Sequence, residues 1–173
     1  LQKLEALFNG VIRLLAAQGV FPKKLDVVLD ATDNEVTRTY KTDDGRPLPK
    51  VKREKRPDVR DNRHAKKVEV TAYGWKVWVV WEPSSKIPLA IRIGDINEPD
   101  NKCALEVLKQ AAQNVSEYAT VRSVALDRGF LDGKLLWGIE QQNQLIYIPS
   151  KSNLTHTQEA RNLARQAAAQ HAH

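Results

Sequence analysis

The stretch from Val68 to Trp81 is fourteen residues dense in Val, Trp and Tyr. It is followed by Glu82-Pro83-Ser84-Ser85-Lys86 and a second apolar run, Ile87 to Ile93. β-Branched and aromatic residues at this density favour a pleated strand, and a Pro-Ser-Ser turn between two such runs closes a hairpin. A hairpin of this length must bury a face, so it requires further strands beside it and helices over it. Alternation along the first strand puts Trp75 and Trp81 on one face and Trp78 on the other, with sheet packing as their role. Gly74 marks a bulge or a close approach of another backbone.

The remaining chain supplies the partners. Residues 2–18 carry Leu4, Leu7, Phe8, Val11, Leu14 and Leu15 at helical spacing, with Gly19 placed to end the helix. Leu25 to Thr32 reads as a strand finishing near Asp30. Asn101 to Tyr118 is the clearest helix, with Cys103, Ala104, Val107, Leu108, Ala111, Ala112 and Val115 on one apolar stripe. Val121 to Leu126 is a strand that exits through Asp127-Arg128-Gly129-Phe130. Asp132 then caps a short helix running to Gln142 that buries Leu135, Leu136 and Ile139. Gln144 to Ile148 is a last strand stopped by Pro149, and Thr155 to Gln158 has capping-box spacing before an Ala-rich helix. This order predicts an α/β fold: three antiparallel strands, then parallel strands, five in all, flanked by helices. A right-handed crossover through the 101–118 helix sets the 121–126 strand beside the 25–32 strand and parallel to it.

At 173 residues, with 42% hydrophobic and 28% charged residues, the chain reads as one soluble globular unit with a substantial core. No apolar run approaches the roughly 20 residues needed to cross a bilayer. A lone cysteine excludes an intrachain disulfide framework. Methionine is absent even at position 1, so the chain reads as a fragment of a longer protein. The net charge is +6, and residues 41–67 hold eleven basic against five acidic residues, which is the entire surplus. A neutral body with one basic excursion fits either a polyanion-binding arm or a solvated loop.

The chemistry lies in two carboxylates. Asp30 and Asp127 each stand at the C-terminal end of an apolar strand, and parallel neighbours lie roughly 4.8 Å apart. Ligands of open α/β sheets bind at that edge. Two ionised aspartates at close range repel unless a proton or cation stands between them, and oxygen-only ligands suit a hard cation such as Mg2+ or Mn2+. Taken singly, either residue more often caps a turn; as a pair beside a basic arm they read as metal ligands. The histidines, His64, His156, His171 and His173, have no zinc spacing, and neither a P-loop nor a nucleophile elbow is present.

Five blocks resemble, in order and spacing, the DDE transposases of bacterial insertion sequences. They are Leu29-Asp30-Ala31-Thr32, Tyr73-Gly74-Trp75-Lys76, Ile87-Pro88-Leu89-Ala90, Ala125 to Gly133 and Ile148-Pro149-Ser150-Lys151. The resemblance spans about residues 25–153. It implies an RNase H-like fold, related to that of the retroviral integrases. It also implies an enzyme that hydrolyses transposon-end phosphodiesters and joins the freed 3′-hydroxyl to target DNA with Mg2+ or Mn2+. Its partners would be DNA, both ends and target, and a second copy of the chain in a synaptic homodimer in the bacterial cytoplasm, at the nucleoid. On this resemblance Asp30 and Asp127 are the first two catalytic and metal-binding carboxylates. The family's third acid, a glutamate in a Tyr-Arg-Glu-Lys type signature on a later helix, has no match. Glu159 is the one acidic residue after Glu140 but sits in no such motif, and at a helix start a glutamate usually complements the dipole. The expectation is therefore that the third glutamate lies beyond His173.

The domain reading is an N-terminal helical segment (1–24), a catalytic core (25–153) with its basic excursion (41–67), and a C-terminal helix (154–173) cut short. Residues expected to meet DNA are Lys50, Lys52, Arg53, Lys55, Arg56, Arg60, Arg63, Lys66 and Lys67 in the excursion, with Lys76 and Arg128 near the carboxylates. For Lys76 the alternative is a solvated strand lysine, and for Arg128 a structural ion pair. A non-catalytic nucleic-acid-binding module descended from a transposase, and an RNase H-like nuclease without strand transfer, are the rival functions.

Overall fold

The computed structural model describes residues 1–36, 45–55, 68–149 and 159. In chain order the elements are α1 (Gln2–Ala17), β1 (Lys24–Glu35), β2 (Lys50–Lys55), β3 (Val68–Glu82), β4 (Ile87–Asp95), α2 (Ala104–Val115), β5 (Thr120–Leu126), α3 (Gly133–Glu140) and β6 (Leu145–Tyr147). A single 3-10 turn, Arg128–Phe130, links β5 to α3. The expected C-terminal helix lies outside the described residues except for Glu159.

The sheet has six strands in the order β2-β3-β1-β5-β6, with β4 also paired to β3. β1, β3 and β4 are antiparallel, and β5 joins β1 and β6 joins β5 in parallel, which is the antiparallel-then-parallel order the sequence pointed to. The sixth strand corrects the expected five: Lys50–Lys55, inside the basic excursion, pairs antiparallel with Val68–Tyr73. β3 is long enough to serve two partners on one edge, β2 along its first half and β4 along its second. Gly74 sits at the changeover. Its φ is +150°, and a Cβ there would collide with the Asn34 carbonyl oxygen, so only glycine fits this close approach.

Alternation decides which face is buried. Ala72, Lys76, Trp78, Val80 and Glu82 of β3 point inward with Leu25, Val27 and Leu29 of β1 and with Val124 and Leu126 of β5. Against this face pack Ile12 and Ala16 of α1, Val107, Leu108, Ala111 and Val115 of α2, and Leu135 and Ile139 of α3. Each buried Val, Leu or Ile among them contributes about 1.5–3 kcal/mol. α1 departs from expectation in which face it buries. Phe8, Ile12, Leu15 and Ala16 pack on the core, whereas Leu4, Leu7, Val11 and Leu14 remain 46–68% exposed. The helix is held in that rotation by Glu5, whose carboxylate accepts from Arg92 Nη1 and from the Ile93 N–H, both at 2.9 Å.

Candidate functional site

β1 and β5 run in parallel register, with Val28 opposite Ala125 and Leu29 opposite Leu126. One step further stand Asp30 and Asp127. Asp127 directly follows β5, whereas Asp30 lies within β1, which runs past the expected finish near Asp30 to Glu35 because residues 31–35 keep pairing with β3. Asp127 keeps an extended backbone (φ −83°, ψ 176°), so its side chain continues the alternation of β5. Residues opposed in a parallel ladder share a face, so continued alternation assigns both residues to the face of Val28 and Ala125, on backbones one strand spacing (about 4.8 Å) apart. Both residues are exposed.

Local hydrogen bonds orient them. Asp30 Oδ1 accepts the Ala31 N–H at 2.8 Å. Asp127 caps the 3-10 turn, its Oδ1 accepting the Gly129 N–H at 2.7 Å. Among the described residues neither carboxylate has a cationic partner within salt-bridge distance. Asp26, on the same face as Asp30 and nearer the start of β1, is the contrast. It binds Arg122 through Nε at 2.9 Å and through Nη2, and it accepts from Ser123 Oγ at 2.5 Å. The hydrogen bond from Arg122, followed by that from Ser123, holds its carboxyl down at about 2. Asp26 is thus already paired with a cation, whereas Asp30 and Asp127 accept only backbone amides among the described residues. Between Asp26, Val28, Ser123, Ala125 and Tyr147 the open face forms a hollow of about 340 Å3.

As oxygen donors on a rigid frame, the two carboxylates fit part of the coordination shell of a hard cation. Among the described residues no group of three or more His, Cys, Asp or Glu converges to complete one. Glu159 is described as an exposed helical residue and joins no such group.

The expected DNA-binding residues divide into three sets. Lys50 and Lys52 are exposed on β2, where Lys52 Nζ donates to Glu69 at 2.8 Å, a solvated surface pair. Arg53 and Lys55 belong to the same strand, and Arg128 is exposed beside Asp127. Arg56, Arg60, Arg63, Lys66 and Lys67 lie outside the described residues. Lys76 has a different environment from the one expected: it is 8% exposed, and its Nζ is engaged by Asp100 Oδ1 at 2.5 Å and lies 3.7 Å from Asp33 Oδ1. An ammonium held inside by carboxylates is not presented to a phosphate. Neither acid stands out in the sequence. The available signal is parity, because a lysine on the same strand face as Trp78 and Val80 is buried and needs a carboxylate partner.

The fold is a mixed α/β domain in which Asp30 and Asp127 each stand one residue past the last parallel pair of β1 and β5. The chain belongs to the family of the transposase DDE domain, whose model matches residues 22–172. It is also similar to three solved structures. The Mos1 transposase paired-end complex with left transposon end is 12% identical (TM-score 0.39; 80% of this chain, 39% of that one). The Mos1 strand transfer complex is 13% identical (0.39; 95% and 48%), and a pre-cleavage Mos1 transpososome 10% (0.37; 88% and 45%). The chain spans less than half the length of each of these. No curated protein matches it. Among the described residues no helix is long and apolar enough to cross a membrane.

Proposed function

We propose that this chain is a DNA transposase catalytic core that cleaves phosphodiesters at transposon ends and joins the 3′-hydroxyl to target DNA, two copies acting on paired ends. Asp30 and Asp127 are the residues that hold Mg2+ or Mn2+. A divalent cation held there would supply activation of a nucleophile and stabilisation of charge on a leaving oxygen. The chain's own part is to keep two like charges at one rim: β1 and β5 supply rigid placement, and the Ala31 and Gly129 amides fix one oxygen of each carboxylate. Arg128, exposed next to Asp127, is suited to steady the phosphate of the strand being cut. Lys50, Lys52, Arg53 and Lys55 on β2 are suited to track the DNA backbone through phosphates, without sequence readout.

The observation that supports this reading is the parallel register of β1 and β5, whose last pair, Leu29 opposite Leu126, immediately precedes Asp30 and Asp127. Asp30→Asn and Asp127→Asn should each abolish Mg2+-dependent cleavage and strand transfer on DNA carrying the element's ends. Retention of DNA by the same variants, followed by gel shift, is the control. Undiminished cleavage by either variant would remove that residue from the mechanism, and nicks without joined products would identify a nuclease.

A further inference from the structure

We infer that Lys76 and Asp100 are positioning residues for Asp127, bracing from behind the turn that carries it. The inference rests on the reading of Asp30 and Asp127 as a cation-holding pair.

Lys76 lies in the middle of β3, opposite Asp33 of β1 and Gly94 of β4, on the sheet face that packs against the helices. Its Nζ donates to Asp100 Oδ1 at 2.5 Å. Trp78, fully buried two positions on and on the same face, donates Nε1 to the Asp100 carbonyl oxygen at 2.6 Å. Adjacent inward residues of one strand therefore grip Asp100 by side chain and backbone, fixing the loop that leads into α2.

The other Asp100 oxygen faces the site. Oδ2 lies 3.3 Å from where a Cβ on Gly129 would stand, and Asp127 Oδ1 lies 2.9 Å from the same point. Gly129 is thus wedged between the two carboxylates, and its N–H is the donor that orients Asp127. A second anion this close would push Asp127 away if it carried its full charge. Lys76 offsets that charge and holds Asp100 back, so the turn can close on it without repulsion. Charge and shape act together: the lysine neutralises, the tryptophan locates, and the glycine leaves room.

The test is a Mn2+ titration of the 15N-labelled chain, read as paramagnetic broadening of the Ala31 and Gly129 amide resonances, since each amide donates to one carboxylate of the pair. In the wild type both should broaden together. Lys76→Gln removes a positive charge near the rim, so a purely through-space effect would tighten Mn2+ binding. Positioning predicts the opposite sign, with about tenfold more Mn2+ needed to broaden Gly129. Arg122→Gln, which breaks the Asp26 pair elsewhere on the sheet, should behave as wild type. Should Lys76→Gln lose its dispersed spectrum, Gly129→Ala decides, because it changes no charge and fills the wedge. Broadening that is unchanged or occurs at lower Mn2+ in the folded Lys76→Gln protein, or unchanged in Gly129→Ala, overturns the inference alone. A wild type in which neither amide broadens overturns the cation reading and the inference with it.

Discussion

Single residues show where local pattern is sufficient and where it is not. Asp30 and Asp127 stand out because each follows a mainly apolar run, residues 25–29 and 121–126, although β1 itself continues to Glu35. The inward direction of Lys76 follows from strand parity, and its partner Asp100 comes from a different part of the chain. Gly74 is legible as a special point, and the structure gives the cause in the Asn34 carbonyl pressed against its Cα. Gly74→Ala combines that clash with an unfavourable φ and should lower stability by about 2–4 kcal/mol in urea unfolding. Glu82 is a second such residue. It is 3% exposed, and burial alone would raise its pKa. The hydrogen bonds from Ser84 and Ser85 outweigh burial and hold it below its ordinary 4.5. A depressed carboxyl stabilises the fold above the unfolded-state pKa, and that contribution fades as pH falls through the folded value. Glu82→Gln should therefore cost about 1–3 kcal/mol at pH 7, with the gap to wild type narrowing below about pH 4.5 in thermal melts.

Among the elements, the hairpin, α2, β5 and α3 follow closely from periodicity and caps; Asp132 accepts the Lys134 and Leu135 amides as its position suggested. α1 and β2 do not. α1 is apolar over more of its circumference than one packing face can cover, so the sequence could not say which leucines face inward. The choice is made by Glu5 bonding β4 and by Asn114 of α2. That buried amide donates to the Leu89 carbonyl at 2.8 Å and to Asn9 at 2.9 Å, and its oxygen accepts from Gln110 and Arg13. Asn114 thereby ties α1, α2 and β4 together with every polar atom of its side chain satisfied. Asn114→Ala should destabilise by about 2–3 kcal/mol and raise hydrogen exchange in α1 first, because α1 loses its cross-link while the strands keep theirs. β2 was hidden for another reason: Lys50–Lys55 is almost wholly charged, and an edge strand of that composition has no apolar alternation to reveal it.

For the molecule as a whole, charge and topology are the two levers. The basic surplus sits in one excursion, and the structure makes part of it a strand on the sheet edge, so some of its lysines are held on a rigid support. Replacing Lys50, Lys52, Arg53 and Lys55 with glutamine should flatten the salt dependence of DNA binding by about one unit of slope for each phosphate no longer neutralised. Lys52 should give less than Lys50, because Glu69 already pairs with it. An unchanged slope in filter binding would take β2 out of the DNA interface. The order of the apolar elements, the basic segment and the two aspartates that follow apolar runs were written in the chain, because hydrophobic period and charge are local properties. Tertiary structure alone decided that those aspartates follow neighbouring residues of the β1–β5 ladder, that Asp26 pairs with Arg122, and that Lys76 turns inward onto Asp100. Each of these depends on which distant residue the folded sheet brings within a few ångströms, and local sequence carries no record of that distance.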